Sequence, residues 1–215
     1  MPRDSLFAVF MFAIAVSLGA VISPGPVTAA VLSESPRYGW RVGPIVTIGH
    51  ALLELIMVVL IGIGLSSDLA TPGIQRGFAF GGGLLLIFIG VSYLISAGRG
   101  GIRLPQSSGQ HSPRSTRALF TLGVLTTLSN PFWYAWWVTV AAGYLAEARA
   151  LGMAALSVFY LGHISTDFGW NSLLSSITAA GRRWLTPRRY RALLMLAGVA
   201  MAYFGLAFLR SAFPA

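Results

Sequence analysis

The chain of 215 residues has no cysteine and no lysine, and only 10% of its residues are charged. Without cysteine it has no disulfide framework and no thiolate metal site. A soluble domain usually carries about 25% charged residues. Here 55% of residues are hydrophobic and the mean hydropathy is +0.73, so too little polar sequence remains to cover a soluble core. Acidic residues are scarce, with six against fifteen arginines, for a net charge of +9. Such a basic balance can signal nucleic acid. The arginines, however, gather in short connectors between apolar runs, where lipid headgroups and membrane orientation account for them. No nucleic-acid partner is expected.

What the sequence has is apolar runs long enough for the roughly 20 residues of a spanning helix. The fold class expected is an all-α polytopic membrane protein. Six transmembrane helices are placed at 6–32, 42–65, 78–97, 118–144, 151–180 and 192–213. The first run resembles a signal peptide, but Asp4 offsets Arg3. It ends in Pro24-Gly25-Pro26 rather than in a small-x-small cleavage site, so it is read as a retained helix.

The connector 98–117, rich in Gly, Ser, Pro and Arg, divides the chain into a first three-helix unit (1–97) and a second (118–215). The odd connectors hold eleven arginines (37, 41, 99, 103, 114, 117, 182, 183, 188, 189, 191). The termini and even connectors hold four (3, 76, 149, 210). The positive-inside rule then puts the odd connectors in the cytoplasm and both termini outside, in the inner or plasma membrane.

A signature recurs across the two units. Residues 49–54 read G-H-x-x-x-E and residues 162–167 read G-H-x-x-x-D, 113 positions apart. IFIGVSYLISA at 87–97 resembles AYFGLAFLRSA at 202–212, 115 positions apart. Near-equal offsets point to a duplicated three-helix unit. An odd number of spans turns the second copy upside down, giving an inverted 3+3 repeat.

Positions four apart share a helix face, so His50 sits beside Glu54 and His163 beside Asp167. Asn171 and Ser175 extend the second pair into a polar stripe. Glu54 lies thirteen residues past Arg41, roughly 20 Å along a helix and so deep in the hydrocarbon. Ionisable groups at that depth mark substrate, ion or proton paths. With no lysine to pair, Glu54 and Asp167 must hold a proton, pair with the histidines or bind a cation. His50, Glu54, His163, Asp167 and Asn171 are therefore the candidates for proton or cation coupling.

Two breaks accompany them. Pro24, Gly25 and Pro26 interrupt the first helix, and Asn130-Pro131 the fourth. A proline inside a helix frees a carbonyl one turn earlier, which for Pro131 is that of Thr127. Broken helices in corresponding halves point to a transporter's binding site. Pro24, Gly25, Pro26, Asn130, Pro131 and Trp133 are the candidate substrate-binding residues. Trp133, Tyr134, Trp136 and Trp137 would by default anchor at the headgroups, and could also wall an organic solute.

Two other readings fit the same residues. The histidines and carboxylates could serve a divalent metal exporter. They could also serve an intramembrane metal-dependent hydrolase, although the His-Glu-x-x-His order is absent. No cofactor is expected.

The order of these features resembles the lysine exporter superfamily, the LysE/RhtB-type amino-acid exporters. The residues that carry it are Pro24-Gly25-Pro26, then Arg37-x-Gly39-x-Arg41-x-Gly43 leading into Gly49-His50 and Glu54, then Asn130-Pro131, and Asp167 with Trp170. The resemblance covers essentially the whole chain. It implies a small inner-membrane carrier that exports amino acids or related metabolites on the proton gradient, and a homodimer. The chain departs from the family pattern at Phe132-Trp133, where Lys-Ala is common, and at Glu54, where aspartate is common. A bulky aromatic site would favour a solute other than lysine or threonine.

Overall fold

The computed structural model describes residues 5–22, 25–69, 71–98, 115–181 and 186–213. Among these the protein is all-α, a largely membrane-embedded helical bundle. Its helices are α1 (Leu6–Ile22), α2 (Pro26–Tyr38), α3 (Val42–Gly62), the short α4 (Ser66–Leu69), α5 (Pro72–Gly98), α6 (Thr116–Leu128), α7 (Pro131–Trp136), α8 (Ala142–Ala150), α9 (Met153–Ala180) and α10 (Pro187–Ala212). A π-helical turn, Trp137–Ala141, joins α7 to α8.

Three segments are long and apolar enough to cross a membrane: Val42–Gly62, Pro72–Ile95 and Met195–Ala212. A fourth is added if α1 and α2, bent by 72°, form one broken span. Helix α9 has 28 residues, about 42 Å at 1.5 Å per residue, but its polar stripe lowers its mean hydropathy. Much of the surface is apolar. Phe88 and Leu196 are each 70% exposed, which water would penalise and lipid tails do not.

Pro26 and Pro131 start new helices rather than standing within one, opening α2 and α7 at the first helical positions. There the missing N–H would have had no partner anyway and the fixed φ suits the helix. Nor is the Thr127 carbonyl freed, because it accepts the Asn130 N–H at 3.0 Å. Pro24 lies outside the described residues, as does nearly all of the 98–117 connector. Other bounds shift modestly: α2 runs on to Tyr38, α5 begins at Pro72 and α10 at Pro187. Gly39 (φ 84°) ends α2, and Gly152 (φ 106°) separates α8 from α9. Both angles lie where a side chain is strained.

Three packing pairs organise the bundle: α1 on α9, α3 on α6, and α5 on α10. Close approach is set by glycine. A Cβ on Gly162 (α9) would meet the Phe10 carbonyl and Ala13 of α1, while Gly49 (α3) lies against the Phe120 carbonyl and Gly123 (α6) against that of Val46. In the third pair Gly83 faces Gly205 and Gly90 faces Gly198. The main apolar core joins α1, α3, α9 and the segment from α7 to α8, around Val9, Met57, Trp137 and Phe159.

Candidate functional site

Helices α3 and α9 run side by side and bring the two His-acid pairs together in space. His50 and Glu54 are one turn apart on α3, with His50 Nε2 3.0 Å from Glu54 Oε1. The second histidine reaches the same oxygen, with His163 Nε2 2.9 Å from Glu54 Oε1. Asp167 lies between the rings, 3.5 Å from His50 Nε2 and 3.6 Å from His163 Nε2. Trp133 donates its indole N–H to Glu54 Oε1 at 3.3 Å. All four ionisable groups are buried, and Glu54 is only 1% exposed. Among the described residues, Glu54 Oε2 and Asp167 Oδ2 have no hydrogen-bond partner. Unsatisfied carboxylate oxygens at this depth are costly, which marks them for a transient partner.

The outer nitrogens fix how the rings are protonated. Ser17 of α1 donates its only hydroxyl proton to the Ala13 carbonyl at 2.6 Å. With that proton on the carbonyl, its oxygen accepts from His163 Nδ1–H, 2.5 Å away. Thr127 of α6 does the same for α3. It donates to the Gly123 carbonyl at 2.7 Å and accepts from His50 Nδ1–H at 2.8 Å. Both rings thus carry Nδ1–H and turn Nε2 to the carboxylates.

Two Nε2 atoms against one oxygen need two protons. Either both rings carry Nε2–H, or one does and Glu54 Oε1–H donates to the other. With Asp167 ionised, both arrangements leave the cluster without net charge.

Further along α9, Asn171 donates to Thr47 Oγ1 at 3.1 Å and Ser175 to the Trp40 carbonyl at 2.7 Å. The polar stripe thus faces α3 rather than lipid. Trp136 stacks on His163 with ring centres 4.8 Å apart, and Trp137 meets the same ring edge-on at 5.2 Å. Trp137 is fully buried. These two tryptophans wall the cluster instead of anchoring at a headgroup surface.

The cluster opens on a cavity of about 590 Å³. Gly25, Pro26, Asn130, Trp133, His50, Glu54, His163, Asp167 and Asn171 line it. Pro131 is placed as the first residue of α7, whose N-terminus Asn130 caps by accepting from the Phe132 and Trp133 N–H groups. No side chain among the described residues caps α2, whose residues Val27 and Thr28 also line the cavity. Sequence reading missed Ser17 and the Thr127 hydroxyl, and it missed Phe204 and Phe208 of α10, which also line the cavity. A buried hydroxyl one or two turns ahead of each helix break was the available signal. The donor set could hold a metal ion: His50, Glu54 and Asp167 offer ligand atoms within 4.8 Å of one another.

YcgF of Bacillus subtilis (strain 168), provisionally named as an amino acid efflux protein, is 26% identical over 201 residues, covering 93% of this chain and 94% of the relative. No solved structure gives a significant match. The family model for LysE type translocators matches residues 18–212. The chain therefore belongs to the LysE family: it is a multi-pass membrane transporter of small molecules and not an enzyme.

Proposed function

We propose that this protein is a proton-coupled exporter of amino acids or closely related metabolites in the plasma membrane. The observation that carries the reading is the buried His50–Glu54–His163–Asp167 cluster opening on a cavity. A neutral cluster with two mobile protons becomes anionic when one leaves. The substrate's ammonium then restores neutrality. Protons and substrate compete for the same carboxylates, which couples their movements in opposite directions. The uncapped start of α2 offers backbone N–H groups and a positive dipole end to the substrate carboxylate. YcgF's provisional name, amino acid efflux, supports the same solute class.

The inverted 3+3 repeat is part of this reading, and matching contacts support it. Phe10, Ala13 and Ser17 of α1 contact α9 where Phe120, Gly123 and Thr127 of α6 contact α3, a shift of 110 positions. The α5–α10 crossing maps onto itself under a shift of 115, with Gly83 on Gly198 and Gly90 on Gly205. Arginine placement favours cytoplasmic odd connectors and external termini. Arg41, over the Trp40 ring at 5.9 Å, would then mark the cytoplasmic surface. A homodimer also belongs to this reading.

The test is counterflow in proteoliposomes under an imposed proton gradient, with a panel of amino acids. Wild type should move at least one of them, and the Glu54→Gln, Asp167→Asn double variant none. A second reading, divalent metal export, is favoured by the three convergent ligand groups. Its histidines would each donate Nδ1–H to a hydroxyl, as metal-binding histidines commonly donate their second N–H. Movement of manganese or zinc without any amino acid would replace the first reading by the second.

A further inference from the structure

The cavity has two chemically distinct ends, and the second says what kind of side chain the solute carries. One end is the carboxylate–imidazole cluster. The other is built by Phe132 of α7 with Phe204 and Phe208 of α10, over the fully buried Leu86 of α5. Phe132 meets Phe208 edge-to-face at 5.0 Å and Phe204 at 5.9 Å. This geometry leaves ring faces and edges free to accept another ring. Trp133 and Trp136 join the two ends along one wall.

We infer that the solute is an amino acid with a large apolar side chain, aromatic for preference, and this rests on the exporter reading above. Among the described lining residues the only acids are Glu54 and Asp167, there is no arginine, and the only bases are His50 and His163 of the same cluster. The ammonium of the solute engages that cluster. A second cationic group, as in lysine or arginine, would then lie against phenylalanine rings with no carboxylate beside it. Removing a charge from water without a partner is strongly unfavourable. A threonine-sized side chain would leave the aromatic end unfilled and gain little from it. A phenyl or indole ring would bury its area against the three phenylalanines and make edge-to-face contacts besides. About 590 Å³ suits a solute of that size together with its coordinating groups.

The experiment is proton-gradient-driven uptake into proteoliposomes of purified full-length protein, with L-phenylalanine, L-threonine, L-lysine and manganese ion as separate probes. The expected result is a kcat/KM for phenylalanine about tenfold or more above those for threonine and lysine. Phe204→Ala with Phe208→Ala should reduce that preference about tenfold. Phe204→Leu with Phe208→Leu, which keeps the wall filled and the fold intact, should reduce it less. Equal rates for the three amino acids, or a preference for lysine or threonine, would overturn the inference while the exporter reading stands. Manganese movement with no amino-acid movement would overturn both. A phenylalanine preference unchanged in both double variants would overturn the assignment of this wall.

Discussion

The α3–α9 pair and the α5–α10 pair are both close helix crossings, yet different forces hold them. The α3–α9 crossing is polar, with two imidazoles, two carboxylates and the Asn171–Thr47 bond buried within it. The α5–α10 crossing is made by glycines, and a Cβ on Gly83 would sit 2.8 Å from the Gly205 carbonyl. Lipid tails are as apolar as leucine, so burial alone does not drive spanning helices together. One pair therefore relies on hydrogen bonds and the other on backbone proximity. The polar crossing can change when protons move. Among the described residues the glycine contacts at 83, 90, 198 and 205 involve no carboxylate or histidine.

The largest expected effect separates the two at once. Glu54→Gln leaves one oxygen unable to serve two imidazoles as a charge, and stripping one partner from a buried pair costs about 3–5 kcal/mol. Gradient-driven export should be lost, and the unfolding temperature in detergent should fall. Export at the wild-type rate would break the assigned role of the polar crossing. Next comes Gly90→Leu, which forces a side chain against the Gly198 carbonyl and Ala202. Overpacking of this kind costs about 1–3 kcal/mol. It should lower stability in a denaturant titration while the folded fraction still exports.

Thr127→Val removes the acceptor for His50 Nδ1–H, an omission worth about 1–3 kcal/mol for a buried donor. Ring nitrogen NMR should then show the His50 tautomer released, and Thr127→Ser should restore it. Ser17→Ala should do the same for His163. An unchanged tautomer in either variant would sink the hydroxyl lock. The smallest effect belongs to the lipid-facing side. Leu196→Ala should change stability by no more than about 0.5 kcal/mol, measured in the same titration.

These contrasts explain what was legible in the sequence. Spacing of four on a helix is a local rule, so the adjacency of His50 to Glu54 and of His163 to Asp167 could be read directly. That the two pairs share Glu54 Oε1 depends on how α3 meets α9, and only the repeat hinted at it. Ser17 and Thr127 were hidden because a hydroxyl in an apolar helix usually bonds back to its own turn. These two do so as well, and it is the remaining lone pair that reaches the histidine. Phe204 and Phe208 gave no local signal, because only the placement of α10 beside α7 brings them to the cavity. The helix breaks at Pro26 and Pro131 were legible, but the carbonyl expected to be freed at Thr127 was not, because sequence alone cannot tell a proline inside a helix from the first residue of a new one.

The π-helical turn at Trp137–Ala141 has a consequence for helical phase. It holds one more residue than an α-helical turn, so it offsets everything after it by one step, about 100° of rotation. That step lets Trp136 and Trp137 both address His163 while Leu145 and Ala148, farther on, still face the core. Deleting the single residue Val138 would restore a regular helix. It would also force a choice between aiming the tryptophans at the histidine and burying the rest of α8. The turn acts as a phase adapter, allowing one continuous segment to serve a chemical surface and a packing surface that an ordinary helix could not align together.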